Sequence, residues 1–476
     1  MKKLFAILGI LFALLLSILL FNTYTFNSKQ VAYPAFEQNQ LTPSAIKHLQ
    51  EAVKYITISH ENSDEFNSQP FLEFHKFLAE AYPLSDSLLN REVINNYSLL
   101  YTWKGINQDT KSIILMAHMD VVPVDKPTIN DWRAKPFSGD IIDESVWGRG
   151  SMDDKSSLIA IMEAVEQLLK EGYQPTQTIY LAFGHDEEIG GEEGAAYLAN
   201  TLADRGVHAE FVLDEGGFIL DDFIPGIEQP VAMIATAEKG FITLELSVTT
   251  KGGHSSMPTR ENAIGTLATA INELENNQFD YKMLKVTEEF IEHIGPEMPF
   301  AMKLVFANKW LFGGIILKGM SNHTTIAPTI INAGVKENVL PTKAVAKINL
   351  RILPGESSMD VIAHVKKAIN NDRVVINYDR STEPSAITNS DTEVFRTLAK
   401  TIVEVMPGTI VTPGLTPGGT DTKHYTEIAD YIYRFAPLHF GPDTDGPHSV
   451  NEHLPLADYQ NSINFYYRFI HNISAE

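Results

Sequence analysis

The chain has 476 residues, more than one hydrophobic core ordinarily serves, so two domains are expected. Its net charge of -23 excludes a surface built to bind nucleic acid, while 44% hydrophobic and 20% charged residues are the composition of a folded soluble body. Cysteine is absent, which removes disulfides, thiolate nucleophiles and cysteine-type zinc sites together, so any metal must be held by His, Asp and Glu.

Lys2-Lys3 precede an uncharged apolar run from Leu4 to Phe21 that stops at Asn22-Thr23. A positive flank before a run of that length is the pattern of a signal sequence or an uncleaved signal anchor, and no clear Ala-x-Ala-like site follows it. Residues 1–21 are therefore expected to anchor the chain in a membrane. The body then lies on the non-cytoplasmic side (periplasmic, extracellular or luminal), or is secreted if the segment is removed. Residues 22–40, polar and irregular, read as a tether.

Helical spacing fills much of 42–81, with Ile46, Leu49, Val53 and Ile56, then Phe71, Phe74, Phe77 and Leu78. Segments 97–104 and 111–117 read as strands, the second running into His118-Met119-Asp120. In an extended chain, positions two apart share a face, so His118 and Asp120 point the same way, and a carboxylate beside a histidine sets its tautomer. In Trp147-Gly148-Arg149-Gly150-Ser151-Met152-Asp153-Asp154-Lys155 the glycines allow a tight turn that brings carboxylates to a helix expected over 156–170. Taken singly, the same aspartates would serve as helix caps.

An apolar strand at 178–183 opens on Gly184-His185-Asp186-Glu187-Glu188-Ile189-Gly190-Gly191. Adjacent carboxylates at a strand end cannot point the same way, so one can face a metal and its neighbour the reacting water. Alone, such a pair would equally be a solvated acidic turn. A helix at about 192–204 and a short strand at 209–213 follow, the latter ending in Asp214-Glu215-Gly216-Gly217. In an open α/β sheet, strand ends of this kind gather on one edge, where ligand sites lie.

After Lys239-Gly240 the pattern changes. A strand at 241–250, a helix at 260–276, strands at 330–335 and 344–353, a helix at 357–370 and a strand at 374–378 make a β-α-β-β-α-β order, expected as an inserted α+β domain over 241–382. It carries His254 in Gly252-Gly253-His254-Ser255-Ser256, and Arg351 on a strand. Residues 279–328, rich in Phe and Met and containing Trp310, are too apolar for a linker and read as an elaboration of that domain. The rest, 383–476, completes a catalytic domain begun over 41–240, with a helix at 394–405. It holds Gly418-Gly419 in Leu415-Thr416-Pro417-Gly418-Gly419-Thr420-Asp421, and His448 and His453 compete as one further ligand.

Together His118, Asp153, Glu188, Asp214 and a late histidine form an oxygen-and-nitrogen set large enough for two divalent ions sharing a carboxylate. Zinc suits it, and manganese or cobalt would also fit. Glu187, beside these ligands, can take a proton from water and pass it to a leaving nitrogen.

Six motifs in this order, His118-Met119-Asp120, Gly148 to Lys155, Asp186-Glu187-Glu188, Leu213 to Gly217, Gly252 to Ser256 and His448-Ser449-Val450-Asn451-Glu452, resemble the dinuclear zinc peptidases of the carboxypeptidase and aminoacylase family. More narrowly, they resemble its carboxypeptidase S and N-fatty-acyl-amino-acid hydrolase branch, over about residues 40 to 470. The resemblance implies an α/β catalytic domain with a mixed sheet flanked by helices, an inserted lid domain of the dimerisation type, and two Zn2+ per subunit. It implies that Asp153 bridges the ions, that Glu188 and His448 complete one site, and that His118 and Asp214 complete the other, related branches using either aspartate or glutamate at this last place. Asp120 would orient His118, Glu187 would be the general base, and the Asp153–Asp154 peptide would be cis. His254 would reach the oxyanion, Arg351 would hold the substrate carboxylate, and Gly418 and Gly419 would line the same pocket through their N–H groups. Ser156 stands where the family more commonly has glycine.

The function so implied is metal-dependent hydrolysis of an amide next to a free carboxylate, as in N-acyl amino acids or the C-terminal residues of short peptides. Phe300, Phe306, Trp310 and Phe312 are expected to line the path of an acyl chain. The expected partners are a small-molecule or short-peptide substrate, no nucleic acid, a membrane through the N-terminal helix, and a second copy through the lid. The alternatives are an aminopeptidase with a similar paired-metal site, which would need an acidic residue for a free α-amine, and a non-catalytic metal-binding protein tethered to the membrane.

Overall fold

The computed structural model describes residues 1–258, 261–320, 322–442 and 444–474. Strand Ile113–His118 is buried along its whole length, as a strand with neighbours on both sides and helices on both faces must be. It pairs in parallel with Ile179–Gly184 and Ala209–Asp214, and Ala429–Arg434 continues the parallel set. Asn90–Ile94 and Ser98–Trp103 flank one side. On the other lie Val231–Glu238, Ile219–Leu220 and His439–Phe440, with Ile410–Thr416 parallel to Val231–Glu238, which makes a mixed ten-stranded sheet. His118 is registered against Gly184, Leu115 against Leu213, and Arg434 against Asp214, so the parallel strands all end on one edge.

Helix Lys155–Lys170 covers one face of this sheet with Pro43–Lys54, Glu393–Val405 and Leu456–Ser474, while Ala195–Asp204 covers the other. Leu158, Ile159, Ile161, Met162, Val165 and Leu168 are fully buried on the first of these helices. Each such side chain contributes up to ~1.5–3 kcal/mol relative to exposure, which fixes the turn at the helix start rigidly against the sheet edge.

A second, antiparallel sheet runs Thr325–Ala333, Lys343–Ile352, Gly240–Thr249, Val375–Thr382. Ile242, Leu244, Leu246 and Val248 alternate into its core, beneath helices Ala263–Asn276 and Ser358–Ile369. The first of these helices is capped by the Asn262 side chain, which accepts the Gly265 N–H, and its expected start at Arg260 lies outside the described residues. Three further helices, Lys285–Ile294, Phe300–Ala307 and Lys309–Gly319, occupy the apolar elaboration. Lys285–Ile294 packs on strand Ile410–Thr416, so this segment leans on the large sheet.

Several elements have no counterpart in the sequence reading. Strand Val231–Glu238 is apolar on both faces and lacks alternation, while Pro413-Gly414 inside Ile410–Thr416 reads as a turn. Proline is tolerated there because that strand pairs on one side alone. The expected tether is irregular but laid on the body. The Gln30 amide exchanges hydrogen bonds with the backbone of Val411 at 3.0 and 2.9 Å, and Gln38 Nε2 donates to the Val405 carbonyl at 2.6 Å. Its polar side chains thus complete backbone groups that the fold leaves open.

Candidate metal centre

His118 ends its strand almost fully buried, and Asp120 behind it is wholly buried. His118 Nδ1 stands 3.0 Å from the Asp120 carbonyl oxygen and 3.3 Å from its carboxylate. The ring proton therefore belongs on Nδ1, and the Nε2 lone pair is free. The same carboxylate accepts the backbone N–H groups of Glu187 and Glu188, each at 3.1 Å, so one aspartate sets both the histidine and the acidic turn.

Asp153 lies between two imidazoles. Its Oδ1 is 2.9 Å from His118 Nε2 and its Oδ2 is 3.1 Å from His448 Nε2. His448 Nε2 is also 3.1 Å from Glu188 Oε2, and His118 Nε2 is 3.4 Å from Glu215 Oε1. Two triads result, His118–Asp153–Glu215 and His448–Asp153–Glu188, sharing one carboxylate. The Asp153–Asp154 peptide is cis, as the resemblance implied.

At the end of Ala209–Asp214 the geometry departs from expectation. Glu215, not Asp214, meets His118; Asp214 makes no ion pair or hydrogen bond with that ring among the described residues, and Glu238 and Arg434 are among its neighbours. Successive residues leaving a strand point to opposite sides, so only one of the pair can face the centre. Between His448 and His453 the fold also decides. His453 pairs in a strand with Trp147, stacks on its indole at 4.3 Å, and turns Nδ1 to the Asn451 carbonyl.

Sequence reasoning missed the residues that join the two halves of the site. Arg149 forms a buried ion pair with Glu452 and donates to the His448 carbonyl at 3.0 Å. Glu452 Oε1 accepts the N–H groups of Gly150 and Met152, each at 2.9 Å. Both lay inside quoted motifs, yet nothing in either motif signals that they pair. Asp421 is also near the centre: a Cβ at Gly191, φ +70°, would come within 1.9 Å of its Oδ1, which is why the turn after Glu188 must end in glycine there. Arg380, beyond the strand expected at 374–378, donates to the Ile189 carbonyl at 3.0 Å directly behind Glu187-Glu188.

The remaining expected site residues stand apart from the centre. Arg351 and Arg380 place their guanidinium carbons 5.8 and 5.5 Å from the Phe241 ring, so Arg351 is next to the contact that joins the small sheet to the acidic turn. Gly418 and Gly419 form the loop between Ile410–Thr416 and Asp421. His254 is exposed, with Nδ1 2.8 Å from Ser256 Oγ, and makes no hydrogen bond or ion pair with the triads among the described residues. A cavity of ≈ 290 Å³ borders the strand end that leads into that glycine loop, lined by Met233, Lys239, Val286, Phe290, Met320, Leu415 and Pro417 among others. A cleft of ≈ 460 Å³ beside Lys29–Tyr33 holds none of these site residues. The acyl path expected at Phe300 and Trp310 is not lined by them in this cavity, because both are exposed on their helices.

The electrostatics call for cations. Burial, and neighbouring carboxylates with it, pushes Asp154, Glu187 and Glu188 above their ordinary range, and carries Asp214 to about 6 and Glu215 to about 8. Hydrogen bonds to Asp153 and Glu188 hold His448 up at about 10. Asp154 Oδ2 and Glu188 Oε1 are buried with no hydrogen-bond partner among the described residues. Such orphaned oxygens, beside imidazole nitrogens and a shared carboxylate, fit a pair of divalent ions. Carboxyls that bind protons more tightly in the folded than in the unfolded chain contribute stability at low pH that is lost as pH rises through their folded values. Metal-free protein is therefore expected to lose stability between about pH 4 and about pH 8, and metal-loaded protein to lose less. Denaturant titrations of the chelated and reloaded protein would measure it; parallel profiles would refute it.

A model of the peptidase family M20/M25/M40 matches residues 114–472. The chain belongs to this family. It is 40% identical to a probable carboxypeptidase S-like protein of Dictyostelium discoideum, over 96% of this chain and 92% of that one. It is 39% identical to an N-fatty-acyl-amino acid synthase/hydrolase of Mus musculus, over 90% and 88%. An M20 family metallo-carboxypeptidase from Sulfolobus solfataricus has the same fold at 19% identity, with a TM-score of 0.68 over 92% of this chain and all of that one. This M20-family chain is accordingly a metal-dependent hydrolase.

Proposed function

We propose that the enzyme cleaves the amide bond next to a free carboxylate, in N-acyl amino acids or at the C-terminus of short peptides, with hydrophobic acyl groups preferred. The observation that carries this is Asp153 held between His118 and His448, each with its own glutamate, in a chain similar to a carboxypeptidase S-like protein and an acyl-amino acid hydrolase. His118, Asp153 and Glu215 would hold one zinc ion, and His448, Asp153 and Glu188 the other. Bound there, the ions would polarise the scissile carbonyl and acidify water. Glu187 takes the proton from water and delivers it to the departing nitrogen; its burial among carboxylates favours a group that accepts a proton and then releases it.

Arg351, with the N–H groups of Gly418 and Gly419, holds the substrate carboxylate, and the apolar cavity at the strand end that leads into that loop receives the acyl chain. A screen of N-acyl amino acids and dipeptides after metal reconstitution tests the reading. Converting the carboxylate to an amide is expected to cost about 1.5–3 kcal/mol, roughly 10–150-fold in kcat/KM. Equal cleavage of acid and amide by the parent enzyme, or an Arg351→Ala enzyme that still discriminates between them as the parent does, would favour an aminopeptidase instead. Leu415→Trp, which fills the cavity, is expected to lower kcat/KM for long-chain acyl substrates roughly 10–200-fold while sparing N-acetyl ones. Uniform loss across chain lengths would remove the cavity from the acyl path.

His254 serves the oxyanion after the small sheet moves, or from a second copy docked through the exposed edge strand Thr325–Ala333. A strictly monomeric protein with full activity would eliminate the second route. Helix Lys2–Thr25, 24 residues and about 36 Å long, anchors the enzyme with its body outside the cytoplasm. Full-length protein in the soluble cytosolic fraction would contradict that.

A further inference from the structure

We propose that helices Phe300–Ala307 and Lys309–Gly319 lie in the outer interface of the bilayer crossed by Lys2–Thr25, as a second membrane-embedded element that seats the body on the lipid. The inference rests on the anchor reading of the N-terminal helix. The two helices meet at a bend of 109°; Met302 and Phe306 pack on the body, while four other apolar side chains face outward, Phe300 at 52% exposed, Trp310 59%, Leu311 46% and Ile315 70%. Ile316 is the only side chain in their described hydrophobic set that is buried. An apolar patch of this kind on a water-facing surface marks an interaction site.

What covers the patch follows from what it adjoins. Asn308, at the bend, is fully buried; its Nδ2 donates to the Leu19 carbonyl at 3.1 Å, and its Oδ1 accepts from Asn22 Nδ2 at 2.9 Å and from the Trp310 indole at 3.4 Å. The rings of Tyr24 and Phe300 lie 6.2 Å apart. The bend is therefore fixed at the level of Leu19–Asn22. The run from Leu4 to Phe21 is about 27 Å long as a helix, close to the ~30 Å hydrocarbon thickness, so its last turn falls at the outer boundary. That is the depth at which an indole ring sits, apolar body in the lipid and N–H at its edge.

Charge agrees with position. In a chain of net charge -23, no Asp or Glu occurs before Glu37 or between Glu297 and Glu337, while Lys303 and Lys318 fall within the second acid-free stretch. Lysines around an apolar patch suit anionic headgroups. On the side away from the lipid, Lys309 reaches Glu288 and Glu292 of Lys285–Ile294 at 3.5 and 3.6 Å, tying the pair to the body. Met320, next in the chain, lines the apolar cavity together with Phe290, so an acyl chain dissolved in the bilayer has a short route to it.

The test uses full-length protein reconstituted into vesicles of phosphatidylcholine and phosphatidylglycerol with brominated acyl chains. The other three tryptophans, Trp103, Trp132 and Trp147, are buried in the body, so quenching by bromine reports Trp310. Brominated lipid is expected to quench a fluorescence component that is lost in Trp310→Phe, with the unfolding midpoint unchanged, and regained when Ile315→Trp is added to that variant. Vesicle flotation without Trp310 quenching, as when a protein partner covers the patch, overturns the inference and leaves the anchor standing. Failure to float with the vesicles overturns both.

Discussion

A Glu187→Gln enzyme is expected to keep its metals and to turn over ~10²–10⁴-fold more slowly, the usual worth of general acid–base catalysis. The substitution preserves the backbone N–H that Asp120 accepts, and the turn that carries Glu188 is undisturbed. Among the described residues, Glu187 makes no contact with His118, Asp153 or His448 of the kind that Glu188 and Glu215 make, so its loss removes a proton carrier and not a ligand. Metal analysis beside single-turnover kinetics separates the two. A variant that loses metal in proportion to activity would make Glu187 a ligand and leave the base unidentified.

The second large effect concerns folding. Arg149 is almost fully buried and Glu452 fully so, and their ion pair joins the turn that carries Asp153 to the loop that carries His448. Replacing Arg149 with Met strands the glutamate, and breaking a buried pair in this way costs ~3–5 kcal/mol. Arg149→Met/Glu452→Gln is expected to recover a large part of that cost, because neither residue is then charged and Gln can still accept the Gly150 or Met152 N–H. Urea titrations of the single and double variants give the coupling. Additive losses would show that the residues act separately and that the two loops are held by something else.

His118, Asp153 and Glu188, which the fold brings together, were legible in the sequence for a common reason. Each sits where an apolar strand or a glycine turn ends, and chemistry-bearing residues at such places are exposed by a rule of sheet architecture and not by a particular packing. The small sheet was legible in part, since Lys343–Ile352 and most of Gly240–Thr249 alternate and its helices carry periodic apolar faces, whereas the strand expected at 330–335 lies at Thr325–Ala333, which shows no alternation. Strands Val231–Glu238 and Ile410–Thr416 were not, one being apolar throughout and the other holding Pro413-Gly414, so local pattern carried no period to read.

By itself, then, the amino-acid sequence determined which groups are available to hold a metal: no cysteine, carboxylates and histidines at strand ends, and beside them an apolar segment at 279–328 in an acidic chain. The tertiary structure decided every choice between neighbours or distant partners. Glu215 meets His118 because strand geometry turns Asp214 the other way, and His448 enters the centre because His453 is taken up by Trp147. Arg149 and Glu452 find each other across 303 residues, and the apolar segment meets Asn22 and Leu19 across nearly as many. Local sequence specifies which groups are available, whereas contacts between chain-distant groups exist only once the sheet order and the packing of its helices bring them together.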